Sequence, residues 1–402
     1  MPKKVPKIRF KKYTDEWKED LLSEFLEVSK EKNFLEEYDK TDVLSVSGEC
    51  GIVNQIKHKG RSFAGASVAN YGVVDTGDVV YTKSPLLNTP YGIIKTNKGK
   101  PGIVSTLYAV YKPKENVDPN FIECYFEQNA RINNYLKPLV NKGAKNDMKV
   151  TDENALKGLV VFPDKDEQKE ITKCLVKIET LISDNQQRYD KIISIKKAFL
   201  DSLFANKGNA QPNLRFKKFK NNWKKYKLGD FFNERNERSP IGELISVTIN
   251  SGIIRAEDLN KIDNSSADKS KYKKVEIDDI AYNSMRMWQG ASGCSKYKGI
   301  LSPAYTVCKP KENCNSKFFS YLFKRQEIIH IFEINSQGIA RDTWNLKFPK
   351  FSAIETYVPE YDEQIEIGKF MDIIDELAYL YNKKIDKLTK IKKAFLEKMF
   401  IN

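Results

Sequence analysis

PDKDEQKEITKCLVKIETLISDNQQRYDKIISIKKAFLDSLFAN, residues 163–206, returns as PEYDEQIEIGKFMDIIDELAYLYNKKIDKLTKIKKAFLEKMFIN, residues 359–402, with no gap and 19 of 44 positions identical. Each copy opens on Pro followed by acidic residues and then runs without another Pro, so each reads as one long helix. In the first copy Ile171, Leu175, Ile178, Ile182, Asn185, Tyr189, Ile192, Lys196, Phe199 and Leu203 fall at alternating steps of four and three. The second repeats the seam with Ile367, Met371, Ile374, Ala378, Tyr381, Ile385, Leu388, Lys392, Phe395 and Met399. That spacing is the period of a coiled coil. Asn185 is expected to fix its register, and the seam is expected to drift to Ile195 and Ile391 where Lys196 and Lys392 interrupt it.

The repeat extends outward from the helices. PKIRFKKYTDEWKEDLLSEF, from Pro6, matches PNLRFKKFKNNWKKYKLGDF, from Pro212, at Arg9/Arg215, Phe10/Phe216, Trp17/Trp223 and Phe25/Phe231. KPKEN recurs at Lys112 and Lys309, each time before an aromatic-rich helical stretch. The chain is therefore two copies of one plan, globule then helix, with KGNAQPN from Lys207 as the joint. Short β-rich runs such as GDVVYTK (77–83), GIIKT (92–96), IVSTLYAVYK (103–112) and LISVTI (244–249) make the globules α+β, though their internal order is not legible. The expected segments are a globule at 1–163, a helix at 164–206, a linker at 207–211, a globule at 212–361 and a helix at 362–402. An antiparallel helix pair relating the globules by a pseudo-two-fold axis is preferred, because a parallel pair forces the chain to return along the full helix length. Trp17 and Trp223, shared by both globules, are expected to pack between globule and helix.

Length and charge bound the function. The 402 residues exceed one ordinary domain, and 68 Lys and Arg against 54 Asp and Glu leave +14. Residues 164–206 and 362–402 each hold eight basic and eight acidic side chains, so the helices are neutral. Residues 1–163 carry +4 and residues 207–361 carry +10. Two basic globules joined by a neutral rod point to duplex DNA, and the second globule is expected to supply more of the phosphate affinity. The start of the chain lacks an apolar signal region and no apolar run is long enough for a membrane span, so a cytoplasmic protein is expected.

Catalytic signatures are missing. There is no phosphate-cradling G-x-x-x-x-G-K-[ST] and no G-x-G-x-x-G. Asn88-Thr89-Pro90-Tyr91 has the outline of an amino-methyltransferase motif but lacks its first Pro, and reads as a turn. Asp164 and Asp166 read as helix-start carboxylates rather than part of a nuclease cluster. His58 and His330 lie in unrelated contexts, and the six cysteines form no zinc spacing and read as reduced, buried thiols. No metal site and no catalysis by this chain are expected.

The duplicated plan, the RF-x₆-W and P-x-x-DEQ-x-EI motifs, the two IKKAFL segments and AYNSMRMWQGASG from Ala281 together resemble the specificity subunit of type I restriction-modification systems. The resemblance implies two target recognition domains reading the halves of a bipartite DNA site, with the helices as spacer. It further implies that adenine methylation belongs to separate methyltransferase subunits carrying S-adenosylmethionine, usually two. ATP- and Mg-dependent translocation and cleavage belong to a restriction subunit. The outer helix faces would meet the methyltransferase subunits. The divergent middles of the globules imply an asymmetric target. The alternatives are a self-contained DNA methyltransferase or nuclease, and a coiled-coil adaptor without a nucleic-acid role.

Arg286, Trp288 and Gln289 are candidate DNA contacts, since Arg and Gln can pair bidentately with guanine and adenine and Trp can stack or wedge. Their glycine-rich tail, GASG, would let backbone approach the duplex. The competing reading is a core Trp beside a surface Arg. Tyr81, Lys83 and Ser84 are the counterparts in the first globule. Lys145, Asn146 and Arg341 sit in loops that recur in both halves and suit phosphate contact or solvated charge equally.

Overall fold

The computed structural model describes residues 4–142, 148–206, 208–259, 265–339 and 343–401. The chain divides into two compact units, Met1–Asn185 with Lys384–Asn402, and Gln186–Lys383. Both long helices, Lys165–Ser202 and Tyr361–Lys398, are thus shared between units. The physical units differ from the segments expected at 163/164 and 361/362, because the last turns of each helix are buried in the unit that the other repeat begins.

In the first unit an antiparallel four-stranded sheet runs in the order Leu26–Val28, Tyr108–Pro113, Val79–Thr82, Ile94–Thr96. Val79–Thr82 is buried along its whole length, which is why its sequence shows no polar alternation. Its side chains still alternate between two cores. Val79 and Tyr81 face an aromatic core with Trp17, Phe121 and Phe162, while Val80 joins Leu44, Ile52, Val74 and Val110 on the opposite face. Strand pairs Leu44–Ser47 with Gly51–Asn54 and Gly72–Val74 with Gly102–Val104 build that second face. Lys18–Leu21 pairs with Leu159–Phe162, closing the globule just before the first long helix.

The second unit repeats the plan of the four-stranded sheet and of the strand pairs around it. Its sheet runs Phe232–Glu234, Tyr305–Pro310, Ile280–Asn283, Ser292–Cys294. Ile280 and Tyr282 face an aromatic core with Trp223, Phe318 and Phe351, and Ala281 faces Ile245, Val275 and Val307. Lys224–Lys227 pairs with Glu355–Val358. The α+β class expected from sequence is what the chain adopts.

Every seam residue of both helices is buried or half-buried. Ile171 and Leu175 enter the first unit's aromatic core, and Ile367, Met371 and Ile374 enter the second's, so the leading half of each seam packs on its own globule. The trailing residues differ. Phe395, Met399 and Phe400 pack in the first unit, while Ile192, Phe199, Leu203 and Phe204 pack in the second. Between the helices Glu179 meets Lys392 at 2.7 Å in the first unit, and Lys196 meets Asp375 in the second. Going from 179 to 196 on one helix matches going from 392 back to 375 on the other, an antiparallel register. Two expectations are corrected here. Lys196 and Lys392 remain in the seam as ion pairs, whereas Ile195 stays 38% exposed, so the seam does not drift to it. Asn185 is buried, but its amide donates to the Leu181 carbonyl one turn back in its own helix.

The two helix tails are held alike. Trp17 stands edge-on to Phe121 and to Phe400, and Trp223 edge-on to Phe318 and to Phe204, so both indoles pack between globule and helix tail as expected. The last turn of a helix has carbonyls without internal partners. Buried Arg131 donates to the Leu396 carbonyl at 3.1 Å and buried Arg325 to the Ala205 carbonyl at 2.7 Å. The amides of Ile8 and Leu214 take the Lys398 and Ser202 carbonyls at 2.9 and 2.8 Å. No described helix is long and apolar enough to cross a membrane.

Candidate nucleic-acid interface

In the second unit the strand Ile280–Asn283 ends in a tight turn. The Asn283 side chain accepts from the Met285 amide at 3.0 Å, Met287 is fully buried as the anchor, and Gly290 closes the turn in the left-handed region at φ 80°. Around that anchor Met285 and Arg286 are exposed and Trp288 and Gln289 half-buried. Arg286 donates to Gln289 at 3.2 Å, so the two candidate base-reading side chains sit together. Trp288 donates to the Met285 carbonyl at 3.0 Å and stands edge-on to Trp344, ring centres 5.5 Å apart. Trp344 is delivered by the pairing of Gln337 with Asn345 and by the Leu346 amide on the Ser284 carbonyl at 2.8 Å. It was not legible as a site residue, since its place depends on a contact about 60 residues along the chain. Lys324 braces the turn from below, donating to the carbonyls of Gly290 at 2.6 Å and Ile249 at 2.8 Å. Burial, with help from Lys196, brings its ammonium down to about 8.

The second glycine of GASG has a role in the fold itself. A Cβ on Gly293 would meet the Ile253 amide nitrogen at 2.9 Å, so this glycine lets two strands approach.

Among the described residues of the first unit, the loop after Val79–Thr82 carries no matching Arg, Trp and Gln. Tyr81 is corrected from DNA contact to core: it is fully buried, and its hydroxyl donates to the Tyr91 carbonyl at 2.7 Å. Lys83 is half-buried and paired with Asp152 at 2.9 Å, so its charge is already compensated, and Ser84 is half-buried. Asn88-Thr89-Pro90-Tyr91 forms a turn as expected, the Gly92 amide closing on the Thr89 carbonyl. Lys145, Asn146 and Arg341 lie outside the described residues.

Sequence reading missed a paired clasp that positions both globules. Arg9 donates from Nε and Nη2 to the two carboxylate oxygens of Glu167, each at 2.7 Å, and Arg215 does the same to Glu363. The neighbouring Gln168 and Gln364 accept from the amides of Asp118 and Asn315 and donate to the carbonyls of Pro163 and Pro359. Thus the RF, KPKEN and DEQ motifs recur because they meet at one joint. Their shared recurrence, with an unexplained Arg and Glu in both copies, was the available signal.

Among the described residues no three His, Cys, Asp or Glu side chains converge as a metal site. Cys124, Cys308 and Cys314 are buried, Cys174 and Cys294 are half-buried, and Cys50 is exposed at a strand turn, against expectation. Burial pushes the Cys294 thiol up to about 12, holding it protonated.

Residues 220–390 match the sequence model of the type I restriction modification DNA specificity domain. The specificity subunit of the type I restriction enzyme MjaVIII of Methanocaldococcus jannaschii is 26% identical over 138 residues, 33% of this chain and 32% of that protein. The chain therefore matches about a third of that relative's length. The crystal structure of the S subunit of a type I restriction-modification system from M. genitalium superposes over 99% of both chains with a TM-score of 0.60 at 13% identity, which shows a shared fold.

Proposed function

We propose that this chain, which carries a type I restriction modification DNA specificity domain over residues 220–390 and shares the fold of an S subunit over its length, is a DNA-recognition subunit. Each unit reads one part of a bipartite, asymmetric site. Adenine methylation, with S-adenosylmethionine, belongs to methyltransferase subunits, two per chain, and ATP- and Mg-dependent restriction to a further subunit, all in the cytoplasm. The chain itself supplies recognition and no catalysis.

The observation that carries this reading is the Met285–Gly290 turn inside the matched domain. An exposed Arg and a Gln share a hydrogen bond on a buried anchor, an arrangement suited to bidentate base contacts once the bond is exchanged for base edges. A stripe of exposed Ile373, Leu377 and Leu380, at steps of four and three on the second long helix, supports docking of a methyltransferase subunit on its outer face.

Arg286→Ala, assembled with the methyltransferase subunits, is expected to lose about 1–3 kcal/mol of discrimination at one position of the target, roughly 5- to 150-fold. Competition binding with single-base variants of the site measures it. A uniform loss across all sequences would make Arg286 a phosphate contact, and no loss would remove it from the interface.

A further inference from the structure

We infer that the turn from Asn54 to Phe63 in the first unit is a preformed surface for the phosphate backbone of duplex DNA. The inference rests on the DNA-recognition reading above and gives the first unit a docking surface of its own.

Between Cys50 and Val74 the chain has no Asp or Glu, yet Lys57, His58, Lys59 and Arg61 fall within five positions. All four are exposed, and among the described residues Lys57, Lys59 and Arg61 pair with no carboxylate. Most other cations around this globule's sheet are already used, as Lys83 is by Asp152, Lys95 by Glu123 and Lys112 by Asp75 and Asp78.

The turn is rigid. A single helical turn, Gln55–Lys59, starts on Asn54, whose side chain accepts from the Lys57 amide at 3.1 Å and donates to the Thr41 carbonyl at 2.6 Å. It ends on Gly60 in the left-handed region at φ 77°. Gln55 latches the return, its side chain accepting from the Phe63 amide at 2.6 Å and donating to Ser45 at 3.1 Å. The Arg61 guanidinium lies 4.8 Å from the centre of the Phe63 ring, which is itself 58% exposed. Cations at a helix C-terminus gain from the dipole, which accounts for Lys59 but not for Arg61 beyond the cap or for an exposed Phe beneath it.

The second unit shows the contrast at the matching place. Its hairpin Ile245–Thr248 with Gly252–Arg255 is followed by the turn Ala256–Asp258, which carries Glu257 and Asp258. Arg255 there is tied to Glu243 at 2.9 Å. One fold position is therefore basic and uncompensated in one unit, and acidic in the other. Unpaired cations on a hydrogen-bonded turn contact phosphates with no carboxylate to displace and read no sequence, so they set register and affinity.

The test uses the complex with its methyltransferase subunits. Lys57→Gln/Lys59→Gln/Arg61→Gln is compared with a control, Lys11→Gln/Lys100→Gln/Lys157→Gln, that removes the same charge from exposed sites elsewhere in the unit. Each lost phosphate contact lowers the slope of log K against log salt by about 0.9, so the turn variant should be shallower by about 2–3 on target and non-target duplex alike. The control should keep the wild-type slope, and the methylated sequence should not change. Arg61→Lys should retain most of the slope. An unchanged slope in the turn variant, or an equal drop in the control, overturns the inference while leaving DNA recognition intact. Failure of the wild-type complex to bind duplex DNA would overturn both.

Discussion

Arg215→Ala is expected to destabilise the second unit by about 3–5 kcal/mol, the cost of leaving a buried charge without its partner. Glu363 is 1% exposed and sits in the first turn of the second long helix, and both of its oxygens are taken by the Arg215 guanidinium. Removing the arginine strands a carboxylate that cannot reach water. Replacing both members by apolar residues of similar volume, Arg215→Met with Glu363→Leu, should recover most of the loss, because such a pair can stand in for a buried ion pair. Arg9→Ala should act likewise on the first unit, through Glu167. Urea-dependent hydrogen exchange, read on peptides from each unit, separates the two. A loss below about 1 kcal/mol, the ordinary worth of an exposed pair, would show that water reaches the carboxylate.

Phe400→Ala is expected to weaken the first unit by about 3–5 kcal/mol, the usual cost of emptying a buried aromatic site. The residue lies two positions before the end of the second repeat, yet its ring is 5.5 Å from Phe121, 5.9 Å from Tyr125 and 6.4 Å from Trp17, under the Arg131 guanidinium. Protection should fall in Pro119–Phe126 and Leu159–Phe162 while Ser316–Leu322 keeps its own. Phe204→Ala should give the mirror result, since Phe204 stacks on Phe318 at 5.2 Å. If each substitution loosened the globule of its own repeat, the exchange of helix tails would be wrong.

These effects mark what was legible in the sequence. The helices were, because an apolar seam repeated along most of a 38-residue helix has few other readings, and the repeat made the two globules equivalent before any contact was known. The packing of Trp17 and Trp223 followed from their presence in both copies. Strand order was not legible, because strands of three to six residues buried on both faces, such as Val79–Thr82, carry no alternation to read. The same property misled the reading of Tyr81, which resembles a strand-end contact and is core. Lys196 and Lys392 looked like interruptions because their partners Asp375, Glu127 and Glu179 belong to distant segments. Charge counting favours the second globule for phosphate binding but does not say which cations are spent on neighbours, as Arg235 is on Asp279 and Lys273 on Glu234. Which charges are free depends on the fold.

The central claim is that each unit reads its own part of the target. Exchanging residues 212–358 for the corresponding globule of a type I specificity subunit of known target, and mapping adenine methylation base by base in cells that supply the methyltransferase subunits, tests it directly. One half of the methylated sequence should change, while the other half and the spacing between them persist. A change in both halves, or in neither, would contradict the account.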